Sequence, residues 1–229
     1  MRENDNKKLA EFITRLGKFN DYGSTVSQTL KALETSSTES LRQDNDDVII
    51  FEDTLKGIRA VKEQEFSVES IIAINAQFTG DSDEQPQNPG LLRDGLLRPH
   101  TDKTMIKLWP LVNGSLLAYY PPLQVDEWNL KNIVEEWEDS SKTIKDGWLI
   151  FAKLAKLQPF QDGNKRTALI AANLAIGALE TQDYLMPPSG RKFHPFMNAL
   201  LGYYGVGLED GPVSDEVALE EFLAVLGLV

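Results

Sequence analysis

The chain of 229 residues contains no cysteine and only two histidines. The first absence excludes a disulfide-stapled scaffold, a thiolate zinc site and a cysteine nucleophile, although it does not decide the compartment. Positive charge is scarce: 23 Lys and Arg face 35 Asp and Glu, for a net charge of −12. No basic block interrupts that acidity, and phosphate-backbone binding needs clustered Lys and Arg, so a DNA- or RNA-binding role is not expected. No stretch approaches the roughly 20 consecutive apolar residues that a membrane-spanning helix requires. The opening Met1-Arg2-Glu3-Asn4-Asp5-Asn6-Lys7-Lys8 is followed by no signal-like apolar run, which makes the cytoplasm the expected compartment.

Hydrophobic residues make up 41% of the sequence, enough for a full core in one large domain or two small ones. Most of them recur at helical spacing. Leu9, Phe12, Ile13 and Leu16 mark a first amphipathic helix, and Val26, Leu30 and Leu33 a second. A third helical region runs from Val48 through Ile58 and Val61, and a fourth from Phe66 to Phe78. Residues 80–98 are rich in Pro, Gly, Asp and Asn and read as a long loop. Asp126 can cap a helix with Leu130, Ile133, Val134 and Trp137 on its apolar face; Ser214 can cap a last one with Leu219, Phe222, Leu223 and Leu226 inward. Asn113-Gly114 is a type I′ hairpin signal between Ile106-Lys107-Leu108-Trp109 and Leu116-Leu117-Ala118-Tyr119-Tyr120. The expected fold class is all-α, a helical bundle with one small β-hairpin.

The most informative stretch is Gln158-Pro159-Phe160-Gln161-Asp162-Gly163-Asn164-Lys165-Arg166-Thr167. Upstream, Trp148, Leu149, Phe151, Ala152, Ala155 and Leu157 form an apolar helical segment. Downstream, Thr167 to Leu179 reads as a buried helix with no Pro and one Gly. The polar loop therefore ends near a helix N-terminus, where outward-pointing N–H groups and the macrodipole favour anions. Gly163 permits backbone conformations and close approach that a side chain blocks. Asp162 suits Mg²⁺, which takes few carboxylates together with phosphate oxygens. Asn164 can donate from its amide, Lys165 supplies a point charge, and Arg166 a planar fork. A helical corner with a Gly turn and solvated charges is the plainer reading of a lone Asp-Gly-Asn-Lys; the full decapeptide between two apolar helices favours a phosphate- and metal-holding loop.

The run resembles the Fic/Doc (Fido) family signature, His-x-Phe-x-Asp/Glu-Gly-Asn-Gly/Lys-Arg. Phe160, Asp162, Gly163, Asn164 and Arg166 match it, and Lys165-Arg166-Thr167-Ala168 is similar to the Doc-like branch. Pro89-Gly90-Leu91-Leu92-Arg93 and the exit Tyr120-Pro121-Pro122 are also similar to the family, so the resemblance covers about Ser67 to about Leu185. Three portions are expected: helices in 1–65, packed on the core because no flexible linker separates them from it, a Fic/Doc-like core in 66–190, and C-terminal helices in 191–229. The resemblance implies transfer of AMP from ATP, with Mg²⁺, to a hydroxyl of a target protein. Doc-type members instead transfer the terminal phosphate from a reversed nucleotide. On this resemblance Asp162 holds the metal, Gly163, Asn164, Lys165 and Arg166 cradle phosphates, and Phe160 anchors the loop. The target lies along the hairpin flap near Asn113 and Gly114, a strand-addition mode of recognition. An antitoxin-like inhibitor protein is a second implied partner.

Two departures stand out. The leading His, the family's general base, is Gln158 here. A carboxamide has no titratable nitrogen near neutral pH, and loss of acid–base help alone costs on the order of 10²–10⁴-fold in rate. The sequence leaves open an active enzyme and a catalytically inactive nucleotide- or protein-binding relative. The second Arg that AMP-transferring members carry three residues on is Leu169. Thr35-Ser36-Ser37-Thr38-Glu39-Ser40 resembles the inhibitory helix of some Fic proteins, but also reads as a polar helix end running into the acidic loop Asp44-Asn45-Asp46-Asp47. Neither histidine is assigned as a substitute base: His194-Pro195-Phe196 lacks the following Gly-Asn-Lys-Arg and reads as a helix entry, while His100 sits in the loop before the flap.

Overall fold

A computed structural model describes residues 3–82, 85–110, 116–208 and 211–229. Among the described residues it contains ten α-helices and one two-stranded antiparallel hairpin, the mainly helical class with a small hairpin that the sequence predicts. The helices are α1 (Glu3–Gly17), α2 (Val26–Thr35), α3 (Asp47–Val61), α4 (Val68–Asn75), α5 (Glu127–Glu138), α6 (Ile144–Leu157), α7 (Asn164–Ala175), α8 (Ala178–Thr181), α9 (Phe193–Tyr204) and α10 (Asp215–Val225). The strands β1 (Ile106–Pro110) and β2 (Leu116–Tyr119) lie between α4 and α5.

Side-chain caps set five of the helix starts. Thr25 with Gln28, Ser67 with Ser70, Asp126 with Asn129 and Thr143 with Asp146 form reciprocal capping boxes on α2, α4, α5 and α6. Ser214 accepts from the Val217 N–H and opens α10. The segment expected as one helix from Thr167 to Leu179 begins earlier, at Asn164, and is divided in two. Gly177, at φ 70°, breaks it after Ala175 and starts the short α8.

Helix α7 is the axis of the molecule. Every residue from Arg166 to Leu174 is buried, which fits a helix surrounded by protein rather than one with a wet face. Asn173 is fully buried and satisfied: its amide donates to the Leu169 and Leu185 carbonyls, and its oxygen accepts from the Leu185 N–H. Trp148 and Phe151 of α6, Phe196 of α9 and Phe222 of α10 form an aromatic cluster beside it. The N-terminal helices dock on this core, with Phe12 stacked on Tyr184 at 4.6 Å and Phe19 on Phe151 at 5.7 Å between centroids. The opposite face of α1 turns Ile13 into a smaller core with Tyr22, Ala32, Leu41, Ile50 and Phe51.

The hairpin pairs Ile106 with Tyr119 and Lys107 with Ala118, then loses register before Pro110 and Leu116. The predicted turn, Asn113-Gly114, lies outside the described residues. Two contacts fix the hairpin to the bundle. Tyr119 donates to the Lys156 carbonyl at 3.0 Å, and Trp109 lies so close on Gly205 that a Cβ there would meet its ring at 2.2 Å.

Candidate nucleotide-binding site

The loop between α6 and α7 opens with Gln158 as the C-cap of α6, in the left-handed region at φ 51°, ψ 59°. Its side chain is buried and engaged at both ends. Nε2 donates to the Ala155 carbonyl at 2.6 Å, and Oε1 accepts from Asn164 Nδ2 at 3.1 Å. Asn164 also donates to the Phe160 carbonyl at 2.8 Å and accepts from the Phe160 N–H at 2.8 Å. Expected to donate to phosphate, the Asn164 side chain instead staples the loop to itself, because a buried amide there satisfies backbone groups that no helix or sheet can reach.

Phe160 is fully buried and anchors the loop in the main core. Gly163, at φ 73°, begins α7 without a side-chain cap. A Cβ at this position would meet Phe78 Cδ2 at 2.5 Å, so both conformation and space require glycine. Asp162 is half-buried and one carboxylate oxygen accepts from the Gly163 N–H. Arg166 is fully buried with its guanidinium over the Phe78 ring, 4.8 Å from the centroid, a cation–π contact. Lys165 is half-buried beside it. Leu169, at the position of the family's second arginine, is fully buried in the main core.

Two side chains to which the sequence assigned no role hold this loop from behind. Asn75, at the end of α4, is fully buried and donates to the Asp162 carbonyl at 3.0 Å and the Thr167 hydroxyl at 3.2 Å. Its oxygen accepts from the Gly90 N–H at 2.9 Å. Arg93 is 1% exposed and donates to three backbone carbonyls, Gln158, Asp102 and Pro122. Burial lowers its pKa, against the charge of Asp102, which raises it. The Arg93 N–H also bonds to the Pro159 carbonyl, and Leu92 bridges Phe160. The Pro-Gly-x-x-Arg resemblance singled out Arg93 but gave no hint of this task. For Asn75 the sequence offered only a polar residue beside Ile71, Ile74 and Phe78 in an apolar segment.

Tyrosines close the side of the loop toward the hairpin. Tyr204 is buried against Tyr119, with ring centroids 5.5 Å apart. Burial raises its pKa, with Gln158 close enough to favour the phenolate slightly, although no hydrogen bond of ordinary geometry reaches its hydroxyl. Burial likewise pushes Tyr119 up to about 12, partly offset by the charge of Arg93. Neither phenol serves as a base near neutral pH.

The remaining expected residues lie apart. Glu39 is exposed in a single 3₁₀ turn, Thr38–Ser40, which is tied to α2 through Ser40 and the Gln28 carbonyl; this is the helix-end geometry. His194 is exposed in the first turn of α9, and His100 in the loop before β1. Among the described residues no cluster of three or more His, Asp or Glu is placed to hold a metal. A single half-buried carboxylate beside a helix N-terminus and two cations nevertheless fits Mg²⁺ that takes its other ligands from phosphate and water. No helix of the described residues is long and apolar enough to cross a membrane.

Residues 65–176 match the Fic/DOC family model. This segment of the chain therefore belongs to the Fic/DOC family. The fold is similar to that of a Fic-domain-containing signalling protein from Bacteroides thetaiotaomicron, at 18% identity and TM-score 0.64 over 99% of this chain and 83% of that one. It is also similar to a Fic family protein from Desulfovibrio desulfuricans, at 14% identity and TM-score 0.59 over 98% of this chain and 64% of that one. Fic-1 of C. elegans, residues 134–508, aligns at 18% identity and TM-score 0.51 over 96% of this chain and 62% of that one. The chain thus spans less than two-thirds of the latter two. Among curated proteins none matches the sequence.

Proposed function

We propose that the α6–α7 loop binds ATP with Mg²⁺ and that the protein transfers AMP slowly to a hydroxyl of a target protein. The observation that carries the reading is the state of Gln158: a buried carboxamide with both ends in hydrogen bonds, standing where proton transfer needs a base. Asp162 would hold the metal, the first turn of α7 and Lys165 would hold the phosphates, and the buried Arg166 guanidinium would add positive charge from beneath. Bound Mg²⁺ would neutralise charge on the phosphate oxygens. In the transfer the target hydroxyl oxygen bonds to the α-phosphorus, pyrophosphate leaves, and the proton goes to solvent because Gln158 has no site for it. Positioning and charge stabilisation remain, while the acid–base contribution of on the order of 10²–10⁴-fold is missing.

The test is label transfer from α-³²P-ATP and Mg²⁺ onto lysate proteins, with wild type and Gln158→His in parallel. Weak labelling by wild type and strong labelling by the variant is the expected result. Equal labelling by both would remove the role assigned to position 158. A second reading, terminal phosphate transfer from a reversed nucleotide, is favoured by Leu169: a core leucine offers nothing to the terminal phosphate in the usual orientation. Label from γ-³²P-ATP but not α-³²P-ATP would select it.

A further inference from the structure

We infer that the cavity between the second half of α1, the first turn of α2 and the start of α9 is a binding site for a small carboxylic acid with a hydrocarbon body. Its volume is about 380 Å³, within the range of small-molecule sites. Glu11, Thr14, Arg15 and Lys18 line it from one side, Val26 from α2, and Pro188, Ser189, Gly190 and Phe193 from the other. No residue of the α6–α7 loop takes part, so the inference stands apart from the proposed function.

The walls are apolar and fixed. Val26, Pro188 and Phe193 are each only half-buried, so they keep apolar surface that the chain does not cover. The stems of Arg15 and Lys18 are hydrocarbon as well. The Phe193 ring is held against Phe19 and Phe196, with centroids 6.2 Å and 6.4 Å away. Arg15 donates to the Pro187 carbonyl and so ties α1 to the segment that enters α9. The Thr14 hydroxyl is already spent on Thr29. Walls ordered before a ligand arrives lose little further entropy on binding, which favours it.

The charge around this cavity is positive. Residues 11–31 and 187–194, which form its walls, carry Arg15, Lys18, Lys31, Arg191 and Lys192 against Glu11 and Asp21, five against two, a net +3 in a chain of −12. The buried Asp47 carboxylate, which accepts from the Gly23 and Ser24 N–H groups, lowers this to +2 and does not reverse it. Asp183, further along the same segment, pairs with Lys8. Glu11 is paired with Arg15, and Lys18 uses one of its three donors on the Tyr22 carbonyl. Gly190–Lys192 form a 3₁₀ turn that runs into α9, and no side chain caps either start, so N–H dipoles add to the positive potential at Ser189 and Gly190. An apolar interior with a cationic mouth complements a hydrocarbon body bearing one anionic head. A bare inorganic anion would leave the walls uncovered, and an uncharged hydrocarbon would leave the cations unanswered.

The test is titration of the full chain, without nucleotide, with octanoate and with 2-naphthoate, read by ligand-observed NMR and by thermal unfolding. Octanol and octylammonium, which share the octanoate tail but lack its anionic head, are run in parallel. Both carboxylates should bind and raise the Tm, since a ligand held only by the native state stabilises it by mass action. The alcohol and the ammonium should bind at least tenfold more weakly. Lys18→Glu reverses a charge at the mouth and Val26→Trp fills the interior; each should weaken octanoate at least tenfold, and the two act through different atoms, so a folding defect in one leaves the other as the test. Octanol or octylammonium binding as tightly as octanoate, carboxylate binding that neither variant changes, or no binding at millimolar ligand would overturn the inference.

Discussion

Replacing Asn75 with alanine tests whether the loop is held from behind. The side chain is 0% exposed and satisfies three partners on three segments: the Asp162 carbonyl, the Thr167 hydroxyl and the Gly90 N–H. Removing it takes the partner from the Gly90 donor and the Asp162 acceptor, both half-buried, and a stranded polar group costs about 1–3 kcal/mol, toward the lower end where water has partial access. The Thr167 hydroxyl can rotate toward another acceptor, so two groups dominate and the loss is roughly 3 kcal/mol. For a chain of this size the urea m-value is about 2–3 kcal/mol/M, so the unfolding midpoint should fall by on the order of 1 M. Urea titration followed by circular dichroism reads this directly. A midpoint shift below roughly 0.3 M, with an unchanged m-value, would mean that water replaces the amide at little cost and that the loop does not depend on α4.

Other perturbations separate the loop's requirements. Gly163→Ala should destabilise by more than Gly177→Ala, because both positions have positive φ but only the former brings a Cβ to 2.5 Å from Phe78. Thermal unfolding should show Gly177→Ala losing the left-handed penalty of about 1–2 kcal/mol and Gly163→Ala clearly more; equal losses would contradict the steric argument. At Asp102 burial works to raise the pKa, but hydrogen bonds from the Asp94 N–H, Arg98 and Thr101 outweigh it and hold the carboxyl below its usual range. Its stabilisation is therefore complete above the unfolded value of about 4 and is lost as pH falls through the lower folded value. The Tm gap between wild type and Asp102→Asn should be widest at neutral pH and close in acid. Gln158→His should raise label transfer by on the order of 10²–10⁴-fold, with a rate that falls as the imidazole protonates in mild acid; a flat pH profile would argue against a base at that position.

The helices were legible because their cores repeat at helical spacing and their starts carry side chains that satisfy local N–H groups. Asp126 and Ser214 announce themselves within three residues. The α6–α7 loop was legible as a polar connection between two apolar helices for the same reason, since its residues are ten consecutive positions. What could not be read was how those residues are employed. Asn164 looked like a donor to a ligand, but its partners are Gln158 and Phe160, and only the turn of the chain brings all three together. Asn75 meets Asp162 across 87 positions, and Arg93 meets the Gln158 carbonyl across 65. Nothing local marks such residues, because their role is defined by partners that the fold supplies.

The left-handed backbone at Gln158 bears on inheritance as well as on chemistry. Any unbranched side chain other than glycine meets much the same backbone penalty there, so glutamine and histidine are close to equivalent for the scaffold. A neutral imidazole also offers one donor and one acceptor, as the glutamine amide does toward Ala155 and Asn164. The codons of the two residues differ only in the third base. The chain is therefore a single transversion away from a titratable ring at the head of its α6–α7 loop, across a step that the fold itself does little to oppose.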